Sequence, residues 1–511
     1  MKTKISLLLT VLSFVYTQAQ APAIQWQKPL GGTNNEGAAA IQKTPDGGYV
    51  TAGSNTSNNG DVTGNHGGYD YWIVKLDAIG NIQWQKSLGG SGDDVADAIQ
   101  TTADGGYIVT GYSNSNDGDV SGNHGNQDCW VVKLDTTGNI QWQKSFGSSN
   151  GDAAFSIQLT SDGGYVMVGY SSQNDGNVTG NHGGPDYWVV KLDAGGNMLW
   201  QKSLGGSADD VGQSVQTTSD GGYIVAGYSS SNNGNVTGNH GTTDYWVVKL
   251  DASGNIQWQK SLGGSNTDYA QAIQTTSDGG YIVVGSSFSN NGNVTGNHGG
   301  ISDFWVVKLN ATGTLLWQKS LGGSDADYAQ SIQTTSDGGC VVAGYSYSND
   351  GDIIGNHGSS DCWIIKLDIT GTKQWQKPLG GSGEESANSI QNTSDGGYVI
   401  TGFTNSNDGD ITGNHGGLDC WVVKLAPDAL ATPAYEKLDM VIFPNPVCNA
   451  LQIQTPANKT ITAAKIIAIN GQVILETQNS TTINVENLAK GIYILEAYSG
   501  EEKYTNKFVK E

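Results

Sequence analysis

Three pieces of sequence decide the fold: Asp128-Cys-Trp-Val-Val-Lys-Leu134, a turn at Thr137-Gly138, and Asn139-Ile-Gln-Trp-Gln-Lys-Ser-Phe146. Residues 129–134 are apolar on both faces, as in a strand covered on both sides. Residues 139–146 alternate Ile140, Trp142 and Lys144 against Gln141, Gln143 and Ser145, as in an outer, half-wet strand. Upstream, residues 107–112 (Tyr-Ile-Val-Thr-Gly-Tyr) read as a strand, reached from 98–102 (Ala-Ile-Gln-Thr-Thr) through the hairpin signal Asp104-Gly105-Gly106. A loop of about fifteen residues, rich in Asn, Asp and Gly, separates the second and third strands. No stretch of the unit carries a helical apolar period. The unit is four short strands.

The unit recurs. Trp26, Trp84, Trp142, Trp200, Trp258, Trp317 and Trp375 form one series, and Trp72, Trp130, Trp188, Trp246, Trp305, Trp363 and Trp421 another. The step is 58 residues, with one step of 59 caused by an insertion near Ile301–Ser302. All seven histidines (His66, His124, His182, His240, His298, His357 and His415) keep the same period. Seven four-stranded units predict an all-β chain whose body, residues 24–425, is a seven-bladed β-propeller.

The array begins with a fourth strand, 24–30, and ends with a third, 420–425. The N-terminal strand can therefore complete the last blade, closing the ring and removing an open edge. Small residues (Ala38, Ala96, Ala154, Gly212, Ala270, Ala329, Ala387) mark the first strand, as a crowded strand beside a central axis requires. Gly53 and its equivalents sit inside the second strand, where a backbone approaches closely. With Gly89-Gly90-Ser91, Asp94, Ala96, Asp104 to Gly111 and Asp128 to Leu134 in order, the repeat resembles a bacterial β-propeller repeat family. That resemblance implies a fold and no particular activity.

Charge narrows the function. The chain of 511 residues carries 25 basic against 48 acidic residues, a net charge of −23, and every basic residue is Lys. Without clustered positive charge, nucleic acid is excluded as a partner. Lys2 and Lys4, the apolar run Ile5 to Val15 and Thr17-Gln18-Ala19 read as a secretory signal peptide over residues 1–19. No transmembrane segment is expected, because no run approaches about 20 apolar residues. Of the five cysteines, Cys129, Cys362 and Cys420 replace a repeating Tyr beside the third-strand Trp. Cys340 replaces the Tyr of Asp-Gly-Gly-Tyr, so these four read as buried thiols.

Residues 426–437 lack the repeat and read as a linker. From 438 to 511 the Gly content falls and short alternating strands such as 451–454 and 465–469 suggest a small C-terminal β-sandwich. Phe443-Pro444-Asn445-Pro446, Gly491-Ile492-Tyr493, Lys503, Lys507 and the closing Lys507-Phe508-Val509-Lys510 follow in order. In these residues the segment is similar to the type IX secretion system C-terminal sorting domain (type A) of Bacteroidota. Asn449 stands where one version of the first motif has Gly. The resemblance implies recognition by the type IX translocon, with Pro444, Pro446, Gly491, Tyr493, Lys503 and Lys507 as the sorting signal.

Candidate chemistry lies in the loops. The segment between the fourth and first strands carries one acid per unit: Glu36, Asp94, Asp152, Asp210, Asp268, Asp327 and Glu385. These form either a ring of ligand-facing carboxylates at the channel mouth or, as favoured here, acceptors for the backbone N–H groups of their own turns. The Asn/Asp/Gly loop fails as an EF-hand, because counting Gly118 as position six places His124 at twelve. Calcium in another geometry stays open; no cofactor and no metal set is assigned. The histidines stand singly, without ligand spacing, and read as loop pins held by neighbours such as Asp128.

No Gly-x-Ser-x-Gly, P-loop or dinucleotide fingerprint is present. An active site needs a few residues in different roles, whereas near-identical blades offer the same groups seven times. The expectation is a secreted or outer cell-surface, non-enzymatic binding or adhesion propeller, multivalent for polysaccharide or another surface. The alternatives are an extracellular polysaccharide hydrolase or lyase, and a structural surface component.

Overall fold

The computed structural model describes residues 20–428, 441–454, 460–469, 471–499 and 502–511. The expected leader over 1–19 lies outside them, as does the expected linker beyond Asp428. The chain divides into two compact units at Ala429/Leu430.

In the first unit, seven four-stranded antiparallel sheets follow in sequence order. Blade one comprises Glu36–Lys43, Tyr49–Asn55, Asp70–Leu76 and Ile82–Leu88, and the later blades repeat it. Blade seven takes Glu385–Asn392, Tyr398–Thr404 and Asp419–Leu425 from the end of the array and Ile24–Leu30 from its start. Lys28 pairs with Val422 and Leu30 with Cys420, so the ring is closed by its own N-terminal strand, as the repeat phase requires. The first residues of the expected linker also belong to this unit. The Ala426 N–H donates to Ala23 O (2.8 Å), and Asp428 accepts from the Trp375 indole (3.0 Å) and the Tyr398 hydroxyl (2.9 Å).

Two kinds of aromatic contact join neighbouring blades. In blades one, three, four and five an aromatic residue beside the third-strand Trp packs on the following blade's Trp, while Cys129, Cys362 and Cys420 take that place in the other three; Tyr71 lies 4.6 Å from Trp130 between ring centroids and donates its hydroxyl to Trp130 O (2.9 Å). The outer-strand Trp packs on the next blade's second-strand Tyr, as Trp84 does on Tyr107 at 5.7 Å, except at Trp317, where the next blade has Cys340. Each third-strand Trp is buried, and its indole N–H donates to a Gln of the fourth strand, as in Trp72 to Gln85 (3.0 Å). Cys129, Cys340, Cys362 and Cys420 are buried free thiols within the same cores.

The inner strand begins earlier than the sequence pattern suggests, at Asp94 rather than 98. It carries a bulge in all seven blades, between Ala96 and Ala98 in blade two. The bulge faces the second-strand glycine. A Cβ on Gly53 would lie 1.9 Å from Gly37 O, and on Gly285 1.9 Å from Tyr269 O.

The third-strand lysines are buried beneath the opposite face. Lys75 Nζ lies 2.8 Å from Asp46 Oδ2 in the tight turn and also donates to Leu76 O (3.0 Å) and Gln83 Oε1 (2.9 Å). The same Lys–Asp pair recurs in every blade.

The second unit has a three-stranded sheet (Val441–Phe443, Ala450–Gln454, Thr482–Asn484). Its four-stranded sheet is built of Val473–Gln478, Ala463–Ala468, Gly491–Ser499 and Glu502–Lys510. Leu451 and Ile483 from the first and Ile466, Leu495 and Phe508 from the second share one core, as in a sandwich. Asn445, between two exposed prolines, fastens the Phe-Pro-Asn-Pro segment to the last strand. Its Nδ2 donates to Lys507 O (3.1 Å) and its Oδ1 accepts from the Val509 N–H (2.9 Å). Tyr493 stacks on Phe508 at 5.7 Å and donates to Ala489 O (3.0 Å). Pro444, Pro446 and Lys507 are exposed, Gly491 opens the penultimate strand, and the Lys503 backbone pairs with Tyr498. An Asn445→Ala variant should lose about 1–2 kcal/mol from this unit by forfeiting two hydrogen bonds. Chemical denaturation of the full chain, read at the tail's transition, checks this; an unchanged transition would mean the segment is not fastened.

Candidate functional site

The loops after the second and fourth strands lie on one face of the propeller. The seven acids of the candidate ring belong to it but do not face solvent. Glu36, Asp94, Asp152, Asp210, Asp268, Asp327 and Glu385 are 0–1% exposed. This corrects their placement in a loop: each is the first residue of an inner strand. The Asp94 N–H donates to Tyr69 O in the preceding blade (2.5 Å). The carboxylates bind their own turn. Asp94 Oδ2 accepts from the Gly90 N–H (2.8 Å) and Ser115 Oγ (2.9 Å), and Oδ1 from Ser113 Oγ. Glu36 accepts from the N–H groups of Gly32 (2.7 Å) and Ser57 (3.0 Å). The same bond to a backbone N–H four residues earlier recurs at Asp152, Asp210, Asp268, Asp327 and Glu385.

A second set of acids holds the histidines. Asp70 Oδ2 accepts from the His66 backbone N–H (2.9 Å) and lies 2.7 Å from His66 Nδ1, and each later blade repeats the pair. In blade five the inserted residue stretches the spacing, pairing His298 with Asp303. The Asp is fully buried while the imidazole remains partly exposed, so it closes the long loop over the blade. The other oxygen of each such aspartate is buried without a partner. Gly89 fits between two of these carboxyls; a Cβ there would meet Asp94 Oδ2 at 2.5 Å and Asp70 Oδ1 at 2.9 Å. Among the described residues no three His, Cys, Asp or Glu side chains converge as a metal ligand set. The loop acids are bonded to protein: Asp117 accepts from the Ser91 N–H (2.7 Å) and Asp119 from the Gly89 N–H (3.3 Å).

These buried acids make stability depend on pH. Burial raises Asp327 to about 6 and pushes Asp152, Asp210, Asp268 and the histidine-bound aspartates upward. Their folded forms bind protons more tightly than the unfolded chain, so they add stability as pH falls from about 6 towards 3.8. The seven turn aspartates are held at about 2. At Asp278 the bonds from Lys308 and Thr276 lower it; at Asp46 burial opposes and is outweighed by Lys75 and Thr44. Their contribution is present above 3.8 and disappears as pH falls through about 2. Thermal melting should therefore show a higher Tm at pH 5 than at pH 8 and a steep fall below pH 3. A Tm that rises steadily from pH 5 to pH 8 would contradict the burial of these acids.

The blades also differ at the inner ends of the strands. The bulge position holds Ala39, Asp97, Phe155, Gln213, Gln271, Gln330 and Asn388. The second-strand residue near the same end is Ser54, Tyr112, Tyr170, Tyr228, Ser286, Tyr345 or Phe403. Phe155 contacts Tyr170 at 5.9 Å, so the two positions share the channel side of the sheet. An aromatic arc follows: Tyr228–Tyr269 (4.7 Å), Tyr269–Phe288 (6.4 Å), Phe288–Tyr328 (6.5 Å) and Tyr328–Tyr345 (5.2 Å). Over blades one and seven, Gly37 and Ser54 leave a cavity of about 310 Å³, walled by Tyr69, Tyr112 and Phe403. Sequence reading missed this site because it followed what repeats. The available signal was the opposite one, variation at a fixed register among otherwise matching units.

Residues 441–511 match the family described as the secretion system C-terminal sorting domain. The regulatory protein FlaEY of Caulobacter vibrioides is 31% identical over 136 residues, which are 24% of this chain and 14% of that relative's length. The WD40 domain of Pan2 from Neurospora crassa superposes with a TM-score of 0.45 at 11% identity, covering 79% of this chain and 96% of that one. The extracellular domain of a hybrid two-component system from B. thetaiotaomicron gives 0.43 at 10% identity, over 96% and 60%. The ring itself is established by its strand pairing. No helix among the described residues is long and apolar enough to cross a membrane. The chain is thus a seven-bladed propeller joined to a type IX sorting domain, and its place is outside the cell or on its surface.

Proposed function

We propose that the exported propeller is a non-enzymatic binding or adhesion protein that takes a polysaccharide chain at the channel mouth. The observation carrying this reading is the blade-to-blade variation at that mouth, which builds an aromatic-walled opening. Aromatic faces stack on the apolar faces of sugar rings, and half-buried Tyr residues add hydroxyls for orientation. The repeated loops are poorer candidates, because their carboxylates and histidines are already bonded within each blade. The charge of the face selects among glycans. Its fourteen loops contain twelve Asp or Glu and no Lys, so an anionic polymer is repelled and a neutral or cationic one accepted. The acids of the long loops are bonded within the protein, as Asp117 is to the Ser91 N–H and Asp350 to the Ser324 N–H, which supports binding over hydrolysis.

A glycan panel probed with the full chain tests this. Retention of neutral or cationic glycans, lost in a Tyr112→Ala/Tyr269→Ala double variant that keeps its melting temperature, is expected. Preferential retention of anionic glycans, or binding unaffected by the double variant, would overturn it.

A further inference from the structure

The seven bulge positions carry one ionisable side chain, Asp97 in blade two. The side chain is half-buried and makes neither a salt bridge nor a hydrogen bond, and its Oδ2 is shut off from solvent without a partner. A buried carboxyl without a donor is costly to keep. Elsewhere in the propeller, buried carboxyls accept backbone or hydroxyl donors, so Asp97 stands apart. Tyr112 stands on the paired strand opposite Val95, two residues from Asp97, and the Asp97 charge adds to the burial that raises the Tyr112 and Tyr170 phenols. Phe155, at the same position of the next blade, packs on Tyr170. A carboxyl among aromatic faces, on a face whose loops have no Lys, has the composition of a receptor for an organic cation.

We infer that the channel-mouth glycan carries an ammonium group, an amino sugar, which Asp97 pairs with while Tyr112, Tyr170 and Phe155 offer their ring faces. This rests on the glycan reading above and names its substrate class. The unliganded carboxyl holds a proton, since burial lifts it to about 8. The titratable groups that it influences are Tyr71, Tyr112, Tyr170 and Cys129, all pushed upward by burial, with Asp94, Asp152 and Asp93 beyond them. None of the four tyrosine and cysteine groups ionises near neutrality. Taking up an ammonium ion at pH 6 therefore ionises Asp97, whose proton leaves to buffer.

Calorimetric titration of the full chain at pH 6 tests this with a glucosamine tetramer against an N-acetylglucosamine tetramer, in two buffers of different ionisation enthalpy. The amine tetramer should bind at least about tenfold tighter, the equivalent of 1.4 kcal/mol, and release close to one proton. Asp97→Asn should abolish the proton release and bring the amine tetramer down to the level of its acetylated counterpart. That variant removes an unpaired, half-buried acid, so it should melt no lower than the parent, which a thermal scan checks. Equal affinities, unaltered binding by Asp97→Asn, or no proton release would overturn the inference. Binding of the acetylated tetramer alone would overturn it while sparing the glycan reading. If neither tetramer binds, the ammonium inference fails, and the glycan panel then decides the glycan reading separately.

Discussion

A chain lacking Ile24–Leu30 is expected to lose its cooperative melting and to aggregate on export or refolding. This strand is the fourth strand of blade seven, held by pairing along Asp419–Leu425. Gln27 accepts the Trp421 indole N–H (2.8 Å), the bond that a fourth-strand Gln of the same blade provides elsewhere in the ring. Leu30 is 4% exposed, and Ile24 and Trp26 pack against the cores of blades seven and one. Losing those three side chains alone removes roughly 5 kcal/mol of apolar burial. The deletion also leaves an unpaired edge along 419–425, which invites pairing with another chain. A synthetic peptide of residues 22–31, added in trans, should restore part of the transition by strand addition. A deletion variant melting like the parent would mean that the ring is not closed this way.

The second large effect concerns one inter-strand contact. Gly53→Ala should cost about 3 kcal/mol or more, because the new Cβ would lie 1.9 Å from Gly37 O and backbone must move. Gly37→Ala, on the strand that it faces, meets nothing within 4 Å and should be neutral or slightly stabilising. The pair separates steric demand from the general cost of altering an inner strand. Urea unfolding of both variants is the check, and equal losses would contradict the bulged register. Gly285 and Gly402 make the same approach, so the effect should reproduce in blades five and seven.

The fold was legible because its causes repeat. A period of 58, two Trp series and apolar third strands specify a four-stranded unit, and the phase of the array specifies who closes the ring. Gly53 signalled a close approach, and the structure places the bulge itself on the opposing strand. The inner-strand start was misjudged by four residues, since Asp94-Val-Ala-Asp97 has neither β-branched density nor clean alternation. A bulge breaks the period of two, so the pattern that would mark channel-facing residues is lost at the very position that carries Asp97. The carboxylates and histidines were visible, but whether an acid serves a turn or a ligand depends on which N–H groups surround it. Ser113, Ser115 and Gly90 come from different strands and loops, and only the folded register brings them to Asp94.

The central claim is that one asymmetric mouth, rather than seven equivalent loops, binds the ligand. Native mass spectrometry of the full chain with the tightest glycan of the panel measures this directly. The account predicts saturation at one glycan per chain, lost together with the Tyr112→Ala/Tyr269→Ala variant. Progressive loading towards seven glycans of similar affinity would contradict it and return the function to the repeated loops.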